Sequence, residues 1–360
     1  MKEIDYREFS QRLHEKASGE NKRIPVNATL ELTYRCTNRC VHCYCSLPPD
    51  HREAINNELS PEEIEDLFYQ LKEMGTLWLL LTGGDPLVRD DFKEIYLSAK
   101  RHGFIVTVFT NGIMISEEIA ELFKKYPPFT VEITMYGAER YTYERITRVK
   151  GSYELYWKGV TRLVERGIKL KLKTMALSIN RHEIAQMDSI ARRLGCHFRF
   201  DPLVHRRIDA HNLSTPERYR IPPEDVVLLD MEFPQRLQEF EEFCHRYLGM
   251  PSEPRKLLTC GAGRSTIHIM PDGRVLPCSM LLNFAESAKE RPLQEIWNVR
   301  IKEVLEMEKT FSLECDSCRL LNICGQCPGW SFIEYGRMDR KVEYLCRITK
   351  ARATALSLHE

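Results

Sequence analysis

The sequence predicts an α/β protein built on a parallel sheet, and three observations carry that prediction. Between Asn27 and Pro202, apolar strand-like runs alternate six times with amphipathic helical runs, the pattern of right-handed strand-helix-strand crossovers. The breaks fall at helix-cap and turn residues, where the backbone needs them. After Cys260 the chain changes character: seven of its thirteen cysteines lie in the last 101 residues. A chain of 360 residues is also longer than one ordinary core requires, so two domains or an embellished barrel are expected.

Residues 1–26 read as an N-terminal extension, and residues 27–202 hold the alternating units. Strands are expected at Asn27–Thr33, Leu77–Thr82, Ile105–Thr110, Thr130–Met135, Lys169–Ala176 and His197–Pro202. Helices are expected at Pro61–Met74, Phe92–His102, Ser116–Tyr126, Tyr153–Glu165 and His182–Leu194. Ser60-Pro61-Glu62-Glu63 reads as an N-cap, a first-turn proline and a capping-box glutamate, and Asn180 with Glu183 repeats the pattern. Gly75, Gly103, Gly167 and Gly195 each follow a helix, where a left-handed C-cap favours glycine. Six strands fall short of the eight that close a full barrel. The expected product is a partial barrel with a lateral opening wide enough for a large substrate. Residues 203–259 form a linker with helices at Pro223–Asp230 and Gln235–Leu248 and no recognisable chemistry. Residues 260–350 form a small cysteine-rich domain. Within it Thr266–Leu276 reads as a hairpin turning at Pro271-Asp272-Gly273, and strand pairing brings the flanking Cys260 and Cys278 together.

Composition excludes several function classes. The 52 basic and 52 acidic side chains cancel, which removes any general electrostatic attraction to nucleic acid or anionic membrane. His205-Arg206-Arg207 reads as a solvated basic patch. No apolar run reaches the length of about eighteen residues that marks a membrane span, and Met1–Arg7 lacks the apolar stretch of a signal peptide. A cytoplasmic location is expected. Disulfides are rare there, so the thirteen cysteines point to metal.

Cys36, Cys40 and Cys43 directly follow the first strand, where ligands gather in parallel α/β sheets. Thiolates are soft ligands, and three with this spacing can bend around one 4Fe-4S cube while leaving its fourth iron open to a small molecule. Zinc or a set of buried thiols is the alternative for these three alone. Two Cys-x2-Cys pairs in the C-terminal part are likewise a common zinc spacing. Cys196 and Cys244 read as core, and Cys45 as a spare thiol near the site.

The run Cys36-Thr37-Asn38-Arg39-Cys40-Val41-His42-Cys43 resembles the cluster motif of the radical S-adenosylmethionine (SAM) superfamily, with His42 at a position that is usually aromatic. The resemblance implies a partial (β/α)6 barrel of the radical SAM type, with SAM chelating the open iron. Thr82-Gly83-Gly84-Asp85-Pro86, read alone, is a tight turn. At the end of the second strand it resembles the family's Gly-Gly-Glu-Pro segment, which holds the methionyl amine of SAM, with Asp85 in place of glutamate. The resemblance extends to Asn111 and Thr134 as contacts to the ribose and carboxylate of SAM, positions that plain turn formers also occupy. Lys173 reads either as a further SAM contact or as an inward charge paired within the barrel.

From Cys260 onward, the form Cys-x12-Gly-x4-Cys, then Cys-x2-Cys-x5-Cys-x2-Cys and a final cysteine, resembles the SPASM domain of radical SAM peptide maturases. It implies two auxiliary 4Fe-4S clusters, one on Cys260, Cys278 and Cys327 and one on Cys315, Cys318, Cys324 and Cys346. The expected activity is reductive cleavage of SAM to a 5'-deoxyadenosyl radical that modifies a peptide or protein side chain by cross-linking, oxidation or epimerisation. Auxiliary clusters would relay electrons, and a donor such as ferredoxin or flavodoxin is implied. Ser279 stands where sulfatase-type maturases carry an aspartate, which disfavours that branch. Because only residues 1–26 precede the first strand, leader recognition is assigned to a separate protein or to none. The alternatives are a haem-pathway propionate decarboxylase of the same superfamily and a non-catalytic iron-sulfur or zinc scaffold.

Overall fold

The computed structural model describes residues 6–19, 22–209, 215–249, 256–309 and 315–358. Six strands, β1 (Asn27–Thr33), β2 (Trp78–Gly83), β3 (Ile105–Thr110), β4 (Thr130–Thr134), β5 (Leu170–Met175) and β6 (His197–Asp201), pair in chain order, all parallel. The predicted strands are present, and their ends differ from the sequence reading by one residue at most.

Strand register explains why the sheet has two unlike faces. Leu81, Val108, Val131 and Leu170 are neighbours across four strands and belong to the main buried core. The alternate row, Phe109, Glu132 and Lys171, faces the other way. A parallel sheet covered by helices on both faces would be apolar on both. Here the helices cover one face, and the other is lined by Thr, Glu, Lys and Arg, as the inside of a partial barrel.

The helix Pro61–Glu73 shows how the covering layer is specified. Ser60 Oγ accepts from the Glu63 N–H at 3.2 Å, and Glu63 Oε2 accepts from the Ser60 N–H at 2.8 Å, so two otherwise orphaned donors are satisfied. Ile64, Leu67, Phe68 and Leu71 then form its buried stripe. The second expected capping box is not formed. Asn180 instead accepts from the Leu177 N–H at 2.8 Å and donates to the Tyr136 carbonyl at 3.0 Å. Glu183 is buried and accepts from the Ala138 N–H at 2.7 Å. Tertiary demand from the loop after β4 wins over local capping.

The hairpin is present as β7 (Thr266–Ile269) and β8 (Arg274–Leu276), with β9 (Glu286–Ser287) beside it. It does not stand apart from the barrel. β7 pairs in parallel with β1, Ala28 opposite Ile267 and Leu30 opposite Ile269, so one sheet runs β9-β8-β7-β1 to β6. Leu30, Ile267, Ile269 and Trp297 share one continuous core. The helices Pro328–Tyr335 and Glu343–Ala355 close the C-terminal part over a small cluster of Trp330, Val342 and Leu345. No described helix is long and apolar enough to cross a membrane.

Candidate metal centre and cofactor site

The loop after β1 is fixed by its own backbone. The Cys36 N–H donates to the Leu47 carbonyl at 2.9 Å, and Leu47 N–H to Tyr34 at 2.8 Å. Arg39 and Val41 donate to the carbonyls of Thr147 and Ile146 at 3.0 and 2.9 Å. Cys36 and Cys40 are 6 % exposed, and Cys36, Cys40 and Cys43 are all free thiols. Their sulfurs receive N–H groups: Asn38 N–H to Cys36 at 3.4 Å, Asn111 Nδ2 to Cys36 at 3.4 Å and Ser46 N–H to Cys43 at 3.3 Å. Such donors favour a thiolate, the form that binds metal. A hydrogen bond from the Cys45 thiol, helped by Ser46, holds Cys43 down at about 6. Burial pushes Cys36 and Cys40 up, and the Arg148 cation opposes this at Cys40.

The residues present fit a cluster. Cys36, Cys40 and Cys43 are three free thiols on one loop, and each thiolate of an iron-sulfur cube takes its own iron. Both polar side-chain atoms of buried Asn38, and Nδ1 of His42, have no hydrogen-bond partner. Burial holds His42 down at about 4, so its ring is neutral, and it packs 5.7 Å from the Tyr136 ring. Unpartnered buried groups on the cysteine loop itself mark a place prepared for something else.

Gly83 and Gly84 bring the end of β2 against that loop. The Gly84 N–H donates to Thr33 at 2.7 Å and the Asp85 N–H to Arg35 at 2.9 Å. A Cβ on Gly83 would collide with the Thr33 carbonyl, and one on Gly84 with the carbonyls of Tyr34 and Arg35; Gly83 also holds φ at +127°. The glycines therefore serve a backbone-to-backbone approach between the end of β2 and the cysteine loop. Asp85 is fully buried, and its carboxylate accepts from Thr110 Oγ1 at 2.9 Å, Asn111 N–H at 2.9 Å and Leu87 N–H at 3.0 Å. Burial pushes it up to about 6 against those hydrogen bonds. Its side chain ties β2 to β3, leaving only the segment's backbone for a cofactor. Pro86 is buried at the start of the next turn. Asn111 also donates to Thr37 Oγ1 at 3.0 Å, and Thr134 lies half-buried at the end of β4, in register with Lys173. The ends of β1 to β4 thus place Cys36, Gly83 to Pro86, Asn111 and Thr134 along one edge.

The C-terminal cysteines fall into two groups. Burial raises the thiols of Cys278 and Cys327, and nearby Cys260 raises both further. Cys315 is raised by burial and then by Cys324, Cys346 and Cys318. Cys327 Sγ accepts from the Trp330 N–H at 3.5 Å, and Cys324 Sγ from Thr349 Oγ1 at 3.3 Å. Cys244 is buried, whereas Cys196 is half-buried.

Two sets of residues were missed by sequence reasoning. Arg207, read as part of a solvated patch, is buried, with its side chain 4 % exposed. It donates to the carbonyls of Cys43 and Ser46, both at 3.2 Å, and to Asp209 at 2.8 Å. The linker therefore contributes chemistry: it clamps the cysteine loop. Buried Glu31 on β1 accepts from His268 Nε2 at 3.1 Å and from Tyr44 at 3.4 Å. A buried charge inside a strand is the one sequence signal that would have found it.

A parallel α/β sheet whose first strand delivers three free thiols to its C-terminal edge, with seven more cysteines from Cys260 onward, is the arrangement of an iron-sulfur enzyme. The comparisons agree. The Radical SAM superfamily profile matches residues 30–191, and that of the SPASM iron-sulfur cluster-binding domain matches residues 260–328. The chain belongs to the radical SAM superfamily and carries a SPASM domain. Among its relatives, the antilisterial bacteriocin subtilosin biosynthesis protein AlbA of Bacillus subtilis is 28% identical across 86% of this chain and 69% of that protein. Mycofactocin maturase MftC of Mycolicibacterium smegmatis is 27% identical across 86% and 79%, and AdoMet-dependent heme synthase of Methanosarcina barkeri 22% across 85% and 92%. Streptococcus suis SuiB bound to precursor peptide SuiA has the same fold, with a TM-score of 0.72 over 96% of this chain and 82% of that one at 16% identity.

Proposed function

We propose that the chain is a radical SAM peptide maturase, and the observation that carries the reading is the preformed three-thiol loop at the end of β1. Cys36, Cys40 and Cys43 would hold the 4Fe-4S cluster that binds SAM. The backbone of Gly83, Gly84, Asp85 and Pro86, together with His42, Asn111 and Thr134, would line the SAM site. When bound, the cluster and SAM supply reductive cleavage to a 5'-deoxyadenosyl radical, a bond chemistry no side chain provides. This chain's residues orient the thiolates, exclude water from the edge of the sheet and hold the substrate in place. Cys260, Cys278 and Cys327 would hold one auxiliary cluster, and Cys315, Cys318, Cys324 and Cys346 a second. Residues 27–202 would act as the radical-generating barrel, 203–259 as the linker and 260–350 as the electron-relaying domain.

The substrate is assigned as a peptide because AlbA is a bacteriocin biosynthesis protein, MftC is a maturase and SuiB was solved bound to a precursor peptide. A separate leader-binding protein, a ferredoxin or flavodoxin donor and a cytoplasmic location complete the reading. The relative from Methanosarcina barkeri supports a tetrapyrrole decarboxylase as the second reading. The test is 5'-deoxyadenosine formation from SAM by anaerobically reconstituted, dithionite-reduced protein, against a variant with Cys36, Cys40 and Cys43 all replaced by alanine. Product from the wild type alone is expected; equal background from both would sink the proposal.

A further inference from the structure

The barrel-lining face carries a group of cations that the cluster and SAM assignments leave unused. Lys173 on β5 is central. Its side chain is 19 % exposed, and its ammonium lies 2.9 Å from the centre of the Phe109 ring. The nearest carboxylate oxygen, Glu132 Oε2, is 3.9 Å away, beyond hydrogen-bond reach. Arg199 already donates to that same oxygen at 2.8 Å, and Lys171 lies 3.8 Å from the other. Three cations thus share one carboxylate. No described residue accepts a hydrogen bond from the Lys173 ammonium.

The placement matters as much as the charge. Thr134, Lys173 and Arg199 are register neighbours on β4, β5 and β6, so the cations stand at the level of the cysteine-bearing strand ends. Burial pushes the Lys173 amine well below its usual range, Glu132 opposing and Arg199 adding to the shift. A half-buried amine without an acceptor within hydrogen-bond reach carries a folding cost that an anion would relieve. The ring of Phe109 supplies only a partial substitute.

We propose that Lys173, with Arg199 beside it, forms a carboxylate-binding site that positions the substrate by its anionic end. The proposal rests on the maturase reading above and narrows it to substrates that present a free carboxylate near the reacting carbon. Glu132 orients Arg199 and keeps the wall from accumulating three uncompensated charges. SAM carries a carboxylate too, so the test must separate the two sources.

Reconstituted wild type, Lys173→Met and Lys173→Arg are compared in equilibrium binding to four probes: SAM, decarboxylated SAM, and a random hexapeptide library lacking Asp and Glu, as free C-terminal acids and as amides. The wild type should retain the acid library over the amide library. Lys173→Met should lose that preference by about tenfold or more, the size of one hydrogen bond to a charged group, and Lys173→Arg should keep part of it. SAM and decarboxylated SAM should bind Lys173→Met within about twofold of wild type. Loss of SAM affinity without loss for the decarboxylated form would give the site to SAM and overturn the assignment, as would equal retention of acid and amide by the wild type. Thermal unfolding supplies a second readout. Lys173→Met should be as stable as wild type or more so, because it removes a half-buried charge with no acceptor within hydrogen-bond reach; a lower Tm would make Lys173 a structural partner of Glu132 and end the proposal. 5'-Deoxyadenosine is measured on the same preparations, so a wild type that binds acids but makes no product fails the maturase reading and not the carboxylate site.

Discussion

Cys36 and Cys40 are buried on a loop whose backbone is hydrogen-bonded to two other segments and clamped from below by Arg207, whereas Cys260 and Cys318 are exposed. Around the first set, donors come from Asn38, Ser46 and Asn111. Around the second, the Trp330 N–H donates to Cys327 and Thr349 Oγ1 to Cys324, and the backbones of Met280, Gln326 and Gly329 add contacts to Cys278, Cys324 and Cys327. The first set is buried and tied by its loop backbone to other segments, and the second stands more open to solvent. Under the proposed function that difference would suit two duties: a loop that orients a reactive cofactor, and thiols that pass electrons.

Withdrawing iron should break the comparison most visibly. Chelated protein is expected to keep slow amide exchange in β1 to β5 while residues 315–358 exchange rapidly, because metal binding there supplies folding energy. Uniform exchange across both regions would refute the contrast. Next in size, Gly84→Ala should cost about 3 kcal/mol or more, since the collision is with backbone carbonyls that cannot move aside cheaply; denaturant unfolding measures it. Arg207→Ala should destabilise by about 2 to 3 kcal/mol and lower iron loading at the first site only, through loss of charged hydrogen bonds to two loop carbonyls. Asn111→Ala should cost about 1 kcal/mol and shift the signal of the first cluster in electron paramagnetic resonance, leaving those of the C-terminal part unchanged. Smallest, Thr349→Val should change stability by about 1 kcal/mol or less, since the one hydroxyl proton it removes is shared between Cys324 and the Leu345 carbonyl.

How much of this was legible in the sequence follows from distance along the chain. The strands, the helix stripe of Pro61–Glu73 and its capping box depend on neighbours within a few residues, and they were readable. Arg207 was not, because its partner carbonyl on Cys43 lies 164 residues away, and nothing local distinguishes a buried arginine from a solvated one. Asp85 read as a cofactor residue by the backbone of its motif, and the engagement of its carboxylate by Thr110 and Asn111, 25 and 26 residues away, left no local trace. Glu183 read as a cap because capping is local, while a loop 45 residues distant claims it. The hairpin was visible, but its docking beside β1 was not, since a parallel pairing across more than two hundred residues leaves no periodic trace.

That pairing has a consequence for anyone who would cut or recombine the chain. Without β7, the strand that delivers Cys36 would become an open edge, a row of unpaired N–H and carbonyl groups inviting another molecule to pair with it. A fragment ending before Thr266 should self-associate in solution, and transplanting the barrel onto a foreign auxiliary domain should succeed only when the hairpin travels with it.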